Sequence, residues 1–282
     1  MLYDSHAHLN NESFSDEERT AFVQDIEEKV KDGLLSFVND IGFNLESSKM
    51  AADHSQKYPW CYAAVGCHPH DAKDFDDVQL MLIENLAKKE KVKAIGEIGL
   101  DFYYNHSDRE SQIYWFRKQI QLAIKLRMPI VIHDRDANQE CMQILKEEGA
   151  FSDERCSQFP GRRGPNGTVG LKDARVLLHC FSGSRELAEQ YVKLGATISL
   201  AGPLTYKNAR KTVEVAEAIP LEFLLVETDS PYLTPVPHRG KKNKPAYVEY
   251  TARKLAEIKG VDFETVAKET CLNAKHFFGI DN

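Results

Sequence analysis

The chain has 282 residues, 42% hydrophobic and 28% charged, enough to bury a sizeable core as one large α/β domain or two smaller ones. A net charge of −7 argues against a surface that grips duplex nucleic acid over its whole extent, but leaves room for a local basic patch that steers a phosphate into a cleft. No apolar run approaches the roughly 20 residues of a membrane span, and six cysteines without a C-x-x-C pair or a secretory leader point to a reducing cytoplasmic compartment, or to the nucleus.

Short β-like runs alternate with helical patterns along the chain, at 2–4, 34–41, 61–65, 94–98, 129–132, 175–178, 196–200 and 223–226. Between the fourth and fifth runs, Ile113, Phe116, Ile120 and Ile124 recur at helical spacing. Between the sixth and seventh, Leu187, Tyr191 and Leu194 do so before a stop at Gly195. Past the last run, Pro245 suits the first turn of a helix carrying Val248, Thr251, Leu255 and Ile258. Eight strands separated by helices predict an α/β fold, a single-domain (β/α)8 TIM barrel over residues 1–282, in preference to a doubly wound open sheet.

Two stretches break the rhythm. FSDERCSQFPGRRGPNGTVGLKDA, within 150–174, reads as a long loop insertion or flap, in which Arg162 and Arg163 either contact a polyanion or are tolerated surface charges. TPVPHRGKKNKPAY, after the last strand, brings Arg239, Lys241, Lys242 and Lys244 near the carboxyl end of the strands.

His6, His8, Glu97, His133, His179 and Asp229 each stand at or just past the end of an apolar run. A parallel barrel gathers the carboxyl ends of its strands on one face, so ligands scattered in sequence meet in one pocket. In YDSHAHLN, His6 and His8 are two apart and point to one side of an extended chain. Glu97 lies in the apolar run KAIGEIGL, where a carboxylate is costly unless paired or coordinated. His133 follows PIVI and His179 follows VLL. His6, His8 and Asp229 are expected to hold one ion and His133 and His179 a second, with Glu97 spanning the two. Two divalent ions about 3.5–4 Å apart would activate a water for hydrolysis, with Asp229 as the general base. Imidazole and carboxylate donors without thiolate suit Zn²⁺ or Mn²⁺, with Mg²⁺ possible through the carboxylates. Glu227 is expected on the opposite face in a structural role, and Cys180 is expected to point away if its strand continues.

The segments DSHAHL, GCHPHDA, AIGEIGLDFYY, PIVIHDRDA, HCFSGS and VETDSPYLTP followed by RGKKN stand in this order from Asp4 to Asn243. As a set they resemble the TatD family of metal-dependent deoxyribonucleases, a branch of the amidohydrolase superfamily. The resemblance places the family's metal positions on His6, His8, Glu97, His133, His179 and Asp229. It also implies that His68 and Arg239 touch a substrate phosphate. Read from the residues alone, His68 is a pocket or a surface histidine, and Arg239 a phosphate clamp or a solvated charge. Tyr103 and Tyr104 either stack on a base or shield the site. The stretch 151–173 is longer than the family usually carries there, which bears on access and substrate length.

The expected function is a metal-dependent phosphodiesterase, a 3′–5′ exonuclease on single-stranded or frayed DNA, since a pocket at a barrel mouth admits a strand end more readily than an intact duplex. Its expected partner is nucleic acid, DNA and possibly RNA or tRNA, with no membrane and no obligate protein partner. The alternatives are an ester or amide hydrolase such as a D-aminoacyl-tRNA deacylase, and a non-catalytic metal-bound scaffold.

Overall fold

The computed structural model describes residues 1–164 and 169–280. Its strands are β1 (Leu2–Ala7), β2 (Leu35–Ile41), β3 (Cys61–Val65), β4 (Val92–Asp101), β5 (Ile130–Arg135), β6 (Arg162–Arg163), β7 (Val169–Leu171), β8 (Val176–Leu178), β9 (Thr197–Leu200) and β10 (Leu224–Val226). The long helices are α1 (Asp16–Lys31), α2 (Leu45–Lys57), α3 (Asp77–Ala87), α4 (Arg109–Leu126) and α5 (Asn138–Glu147). After a single turn, α6 (Asp153–Cys156), come α7 (Arg185–Lys193), α8 (Arg210–Ala218), α9 (Val248–Lys259) and α10 (Phe263–Phe278). Apart from the antiparallel pair β6 and β7, the strands form one parallel sheet in the order β1-β2-β3-β4-β5-β8-β9-β10.

The ends of that sheet meet. Ala7 bridges Ser230 in parallel, the Asp229 N–H donates to the His6 carbonyl at 2.9 Å and the His8 N–H to that of Ser230 at 2.8 Å. Sequential order with joined edges is a (β/α)8 barrel, since a doubly wound sheet reverses direction midway and keeps two free edges.

Strand alternation explains the inside of this barrel. Tyr3, Ile41, Ala64, Ala94, Val131, Leu177 and Leu225, from β1, β2, β3, β4, β5, β8 and β10, form one buried cluster with Phe277, Phe278 and Ile280. Counting by twos from Val131 and Leu177 leads to His133 and His179, which therefore face inward at the carboxyl ends. For β1 and β4 the count fails: Tyr3 and Ala94 face inward, yet so do His6 and Glu97. Irregularities in register, between Asp4 and Ala7 and between Ile95 and Ile98, flip the alternation at those points and re-aim both side chains. β4 then continues to Asp101, past the expected end at 98, because Gly99, Leu100 and Asp101 remain paired with His133, Asp134 and Arg135. Gly99, at φ 148°, has no alternative there, since a Cβ would run into the His133 carbonyl oxygen.

The described residues of the 150–174 insertion lie at the opposite end of the barrel from those histidines. Arg155 donates to the carbonyls of Ala174 (3.1 Å) and Met128 (2.9 Å), and Arg162 to Thr197 Oγ1 (2.7 Å), Asp173 (3.1 Å) and the Glu222 carbonyl (3.1 Å). These partners sit at or just before the starts of β5, β8, β9 and β10, so Arg155 and Arg162 tie the described part of the insertion to the floor. Arg162 is 4% exposed and its Nη1 and Nη2 groups are taken up in this packing, which removes it from any polyanion contact. The side chain of Arg163 and residues 165–168 lie outside the described residues. Pro245 also differs from expectation: Pro245–Tyr247 make a short 3-10 turn, and α9 starts only at Val248. No described helix is long and apolar enough to cross a membrane.

Candidate metal centre at the carboxyl ends of the strands

All six expected ligands converge. Glu97 stands in the middle with its two oxygens divided between two groups. Oε1 lies 2.8 Å from His179 Nε2 and 2.9 Å from His133 Nδ1, while Oε2 lies 3.4 Å from His6 Nε2 and 3.8 Å from His8 Nε2. Asp229 Oδ1 closes the second group, 3.3 Å from His8 Nε2 and 3.8 Å from His6 Nε2. Asp229 has a φ of 55°, a left-handed conformation that a non-glycine residue adopts at a cost and that recurs at functional sites.

The outer nitrogens of these imidazoles are anchored so that the inner ones face the pocket. His8 Nδ1 is 2.8 Å from the Ile41 carbonyl, His179 Nδ1 is 3.3 Å from Glu227 Oε1, and His133 Nε2 is 3.2 Å from Asp101 Oδ2. Each outer nitrogen meets only an acceptor, so when a cation sits at the inner nitrogens the ring proton stays on the outer one. His6 Nδ1 alone is buried without a partner.

Burial works to raise the Glu97 carboxyl, but the fields of His179 and His68 and the hydrogen bonds of His133 and His179 hold it well below the usual carboxylate range. Asp229 is held low by the His8 hydrogen bond and the neighbouring imidazoles, again against its burial. His68 is pushed well below its ordinary value by burial and then by His133.

The donor set fits divalent metal. His6, His8 and Glu97 form one group able to hold an ion, and His68, Glu97 and His133 another. Four imidazoles and two carboxylates gathered in a buried pocket supply nitrogen and oxygen donors whose desolvation a shared cation would offset. The absence of a thiolate suits Zn²⁺ or Mn²⁺.

His68 belongs to this pocket. Its Nε2 lies 3.5 Å from Glu97 Oε1, and its Nδ1 accepts the His70 N–H at 3.1 Å. In a neutral ring that acceptance puts the proton on Nε2, which makes His68 a donor aimed into the site. Glu227 corrects the sequence reading. It lies fully buried against the cluster, accepting from the Cys180 N–H at 2.7 Å and facing His179 Nδ1 at 3.3 Å. Cys180 does not continue a strand, since β8 ends at Leu178 and Cys180 turns at φ 41°. Its thiol is raised by burial and by Asp229, Glu227 and Glu97, so it lies beside the centre.

The rim carries the remaining candidates. Tyr103 and Tyr104 are 60% and 50% exposed, and the Arg135 guanidinium lies 4.4 Å and 4.5 Å from their ring centres. Arg239 stacks on Tyr206 at 3.9 Å, with its charge exposed. Lys242 and Lys244 are drawn away to α1, paired with Glu18 (2.6 Å) and Asp25 (2.5 Å), so the basic stretch is chiefly a strap. Asp101, Arg135 and Tyr206 escaped the sequence reading. The signal for two of them was present, since Asp101 stands at even spacing after Glu97 and Arg135 two residues after His133.

Comparison with known proteins shows the family. The family model described as TatD related DNase matches residues 3–279. An uncharacterized metal-dependent hydrolase of Bacillus subtilis, YabD, is 40% identical over 281 residues and the full length of both chains. A protein of Escherichia fergusonii named 3′-5′ ssDNA/RNA exonuclease TatD is 33% identical over 270 residues, 92% of this chain and 95% of that one. The crystal structure of YJJV, a TatD homolog from Escherichia coli, superposes with a TM-score of 0.82 at 25% identity, over 99% of this chain and 98% of the other.

Proposed function

Because this chain belongs to the TatD-related DNase family and is a metal-dependent hydrolase, we propose that it is a 3′–5′ exonuclease acting on single-stranded or frayed DNA. The observation that carries the reading is the division of Glu97 between two groups of ligands, one of which ends in Asp229. The relative named as a 3′-5′ ssDNA/RNA exonuclease supports the substrate class.

In this reading His6, His8, Asp229, Glu97, His133 and His179 hold two divalent ions, Zn²⁺, Mn²⁺ or Mg²⁺. When bound, such ions acidify water and neutralise phosphoryl oxygens. Asp229 takes the proton of the attacking water as its oxygen bonds to phosphorus and the bond to the leaving sugar oxygen breaks. His68 donates its Nε2–H toward a phosphoryl oxygen, and Arg239 supplies a further positive charge at the rim. Tyr103 offers an exposed ring to a terminal base, as an unpaired strand requires. The six free cysteines fit a reducing cytoplasmic setting.

The test is hydrolysis of 3′-labelled and 5′-labelled single-stranded DNA by metal-stripped protein reloaded with each ion in turn, alongside an aminoacyl ester. Stepwise loss from the 3′ end is expected. Ester turnover with intact DNA would assign the chain to the deacylases instead.

A further inference from the structure

Asp101 is fully buried at the carboxyl end of β4 and has more partners than an isolated turn residue needs. Its Oδ2 lies 3.2 Å from His133 Nε2 and 2.8 Å from His70 Nε2. Its Oδ1 accepts the backbone N–H groups of Tyr103 at 3.0 Å and Tyr104 at 2.9 Å. Gln112 fixes the peptide itself, accepting the Asp101 N–H at 2.9 Å and donating to its carbonyl at 3.1 Å. One carboxylate therefore joins a pocket imidazole to the turn that bears the exposed rings.

We propose that Asp101 is a positioning residue: Oδ2 accepts the hydrogen bond of His133 Nε2–H and so leaves the Nδ1 lone pair for the metal pocket, while Oδ1 pins the Tyr103–Tyr104 turn where a substrate base stacks. This rests on the nucleic-acid reading for the second half only.

The chemistry of each oxygen is separable. Both nitrogens of His133 face a carboxylate, Nδ1 that of Glu97 at 2.9 Å and Nε2 that of Asp101 at 3.2 Å; a cation held by Glu97 takes the Nδ1 lone pair, and the acceptor-only Asp101 then fixes the ring proton on Nε2. Replacing Oδ2 by an amide NH₂ presents a donor to His133 Nε2, which favours the reversed tautomer, with the proton on Nδ1 and no lone pair toward Glu97. Loss of such an outer hydrogen bond lowers metal affinity 10–100-fold. The rim works through Oδ1. With both tyrosine N–H groups held, the two rings flank the Arg135 guanidinium at 4.4 Å and 4.5 Å, and Tyr104 stacks on His106 at 5.5 Å. That surface offers an aromatic face and a positive charge side by side, the combination that takes a base and its phosphate.

The experiment has two arms on the full chain. In the first, Co²⁺ is titrated into metal-free wild type and Asp101→Asn, followed by its d–d absorption. Asp101→Asn should bind one ion like wild type and a second 10–100-fold more weakly; two wild-type affinities overturn the role at His133. Nitrogen-15 NMR of the zinc-loaded wild type gives the same answer without a variant, since His133 should keep its proton on Nε2 and a proton on Nδ1 overturns the assignment. In the second arm, metal-free protein is titrated with a fluorescent single-stranded oligonucleotide. Tyr103→Ala and Asp101→Ala should each weaken binding about tenfold, while Asp101→Asn, which keeps Oδ1, should stay within twofold. Wild-type binding by Asp101→Ala beside a weakened Tyr103→Ala overturns the role at the rim. No binding by wild type removes the nucleic-acid reading and the rim role with it, leaving the Co²⁺ and NMR results to decide the metal role alone.

Discussion

The rings of His6 and His179 stack face to face, with centroids 3.9 Å apart and planes 15° from parallel. One comes from β1 and the other from the turn after β8, so the contact runs across the barrel interior and makes the two ligand groups share a wall. Disturbing either group should therefore be felt by the other.

Glu97 is the group both halves share. Glu97→Gln should reduce metal content by elemental analysis from two ions per chain to one or none, and abolish hydrolysis. Adding metal should also stabilise the wild type, by about 2.7 kcal/mol at a hundredfold excess over Kd. A melting temperature that ignores Zn²⁺ and Mn²⁺ alike would rule out a resident ion.

Asp229→Asn separates proton transfer from binding. Asn keeps an oxygen near His8 but cannot take a proton, so kcat should fall about 10²–10⁴-fold while DNA binding changes little. Activity within tenfold of wild type would assign the base elsewhere.

Metal affinity should depend on pH with a definite sign. Burial works to lower His8, but the Asp229 hydrogen bond and the charges of Asp229 and Glu97 raise it to about 8, and His179 and His133 are raised as well. A histidine whose folded value lies above its unfolded one stabilises the metal-free protein below about pH 6.5 and loses that contribution as pH rises through 8. Metal needs the deprotonated ring, so affinity should climb from pH 6.5 to 8 with proton release. Calorimetry in two buffers of different ionisation enthalpy reads this directly, and a flat affinity with no buffer dependence would contradict it.

Arg239 and Lys242 should behave differently although they are close in sequence. Arg239 is exposed on the ring of Tyr206, so Arg239→Ala should raise KM for DNA roughly tenfold, the size of one charge-assisted hydrogen bond. Lys242 is tied to Glu18 at 2.6 Å, and Lys242→Ala should leave KM within twofold. Equal effects would mean that the strap as a whole reads phosphate.

The floor of the barrel should matter for stability alone. Asp173 pairs with Arg162 and Arg175, each at 3.1 Å, and with His276 at 3.0 Å. Asp173→Asn leaves buried guanidinium groups without their carboxylate, which costs about 3–5 kcal/mol. The expected result is a lower melting temperature with kcat unchanged well below the transition. A selective loss of kcat would connect the floor to the mouth.

The sequence by itself determined the barrel and which six side chains gather at the carboxyl ends of its strands. Eight apolar runs alternating with helical periods leave few ways to bury both faces of a parallel sheet, and His133 and His179 continue the inward alternation of their own strands. It did not determine how His6 and Glu97 reach the same pocket, because strict alternation from Tyr3 and Ala94 points both away. Breaks in register do that, and they arise from pairing with neighbouring strands. For the same reason the insertion looked free to sit over the mouth: Arg162 reads as a surface charge until Asp173, Thr197 and the Glu222 carbonyl are brought to it from distant parts of the chain. Which oxygen of Asp101 faces His133 and which holds the tyrosine turn was likewise decided only in three dimensions, since a side-chain partner depends on what the closed barrel sets opposite it.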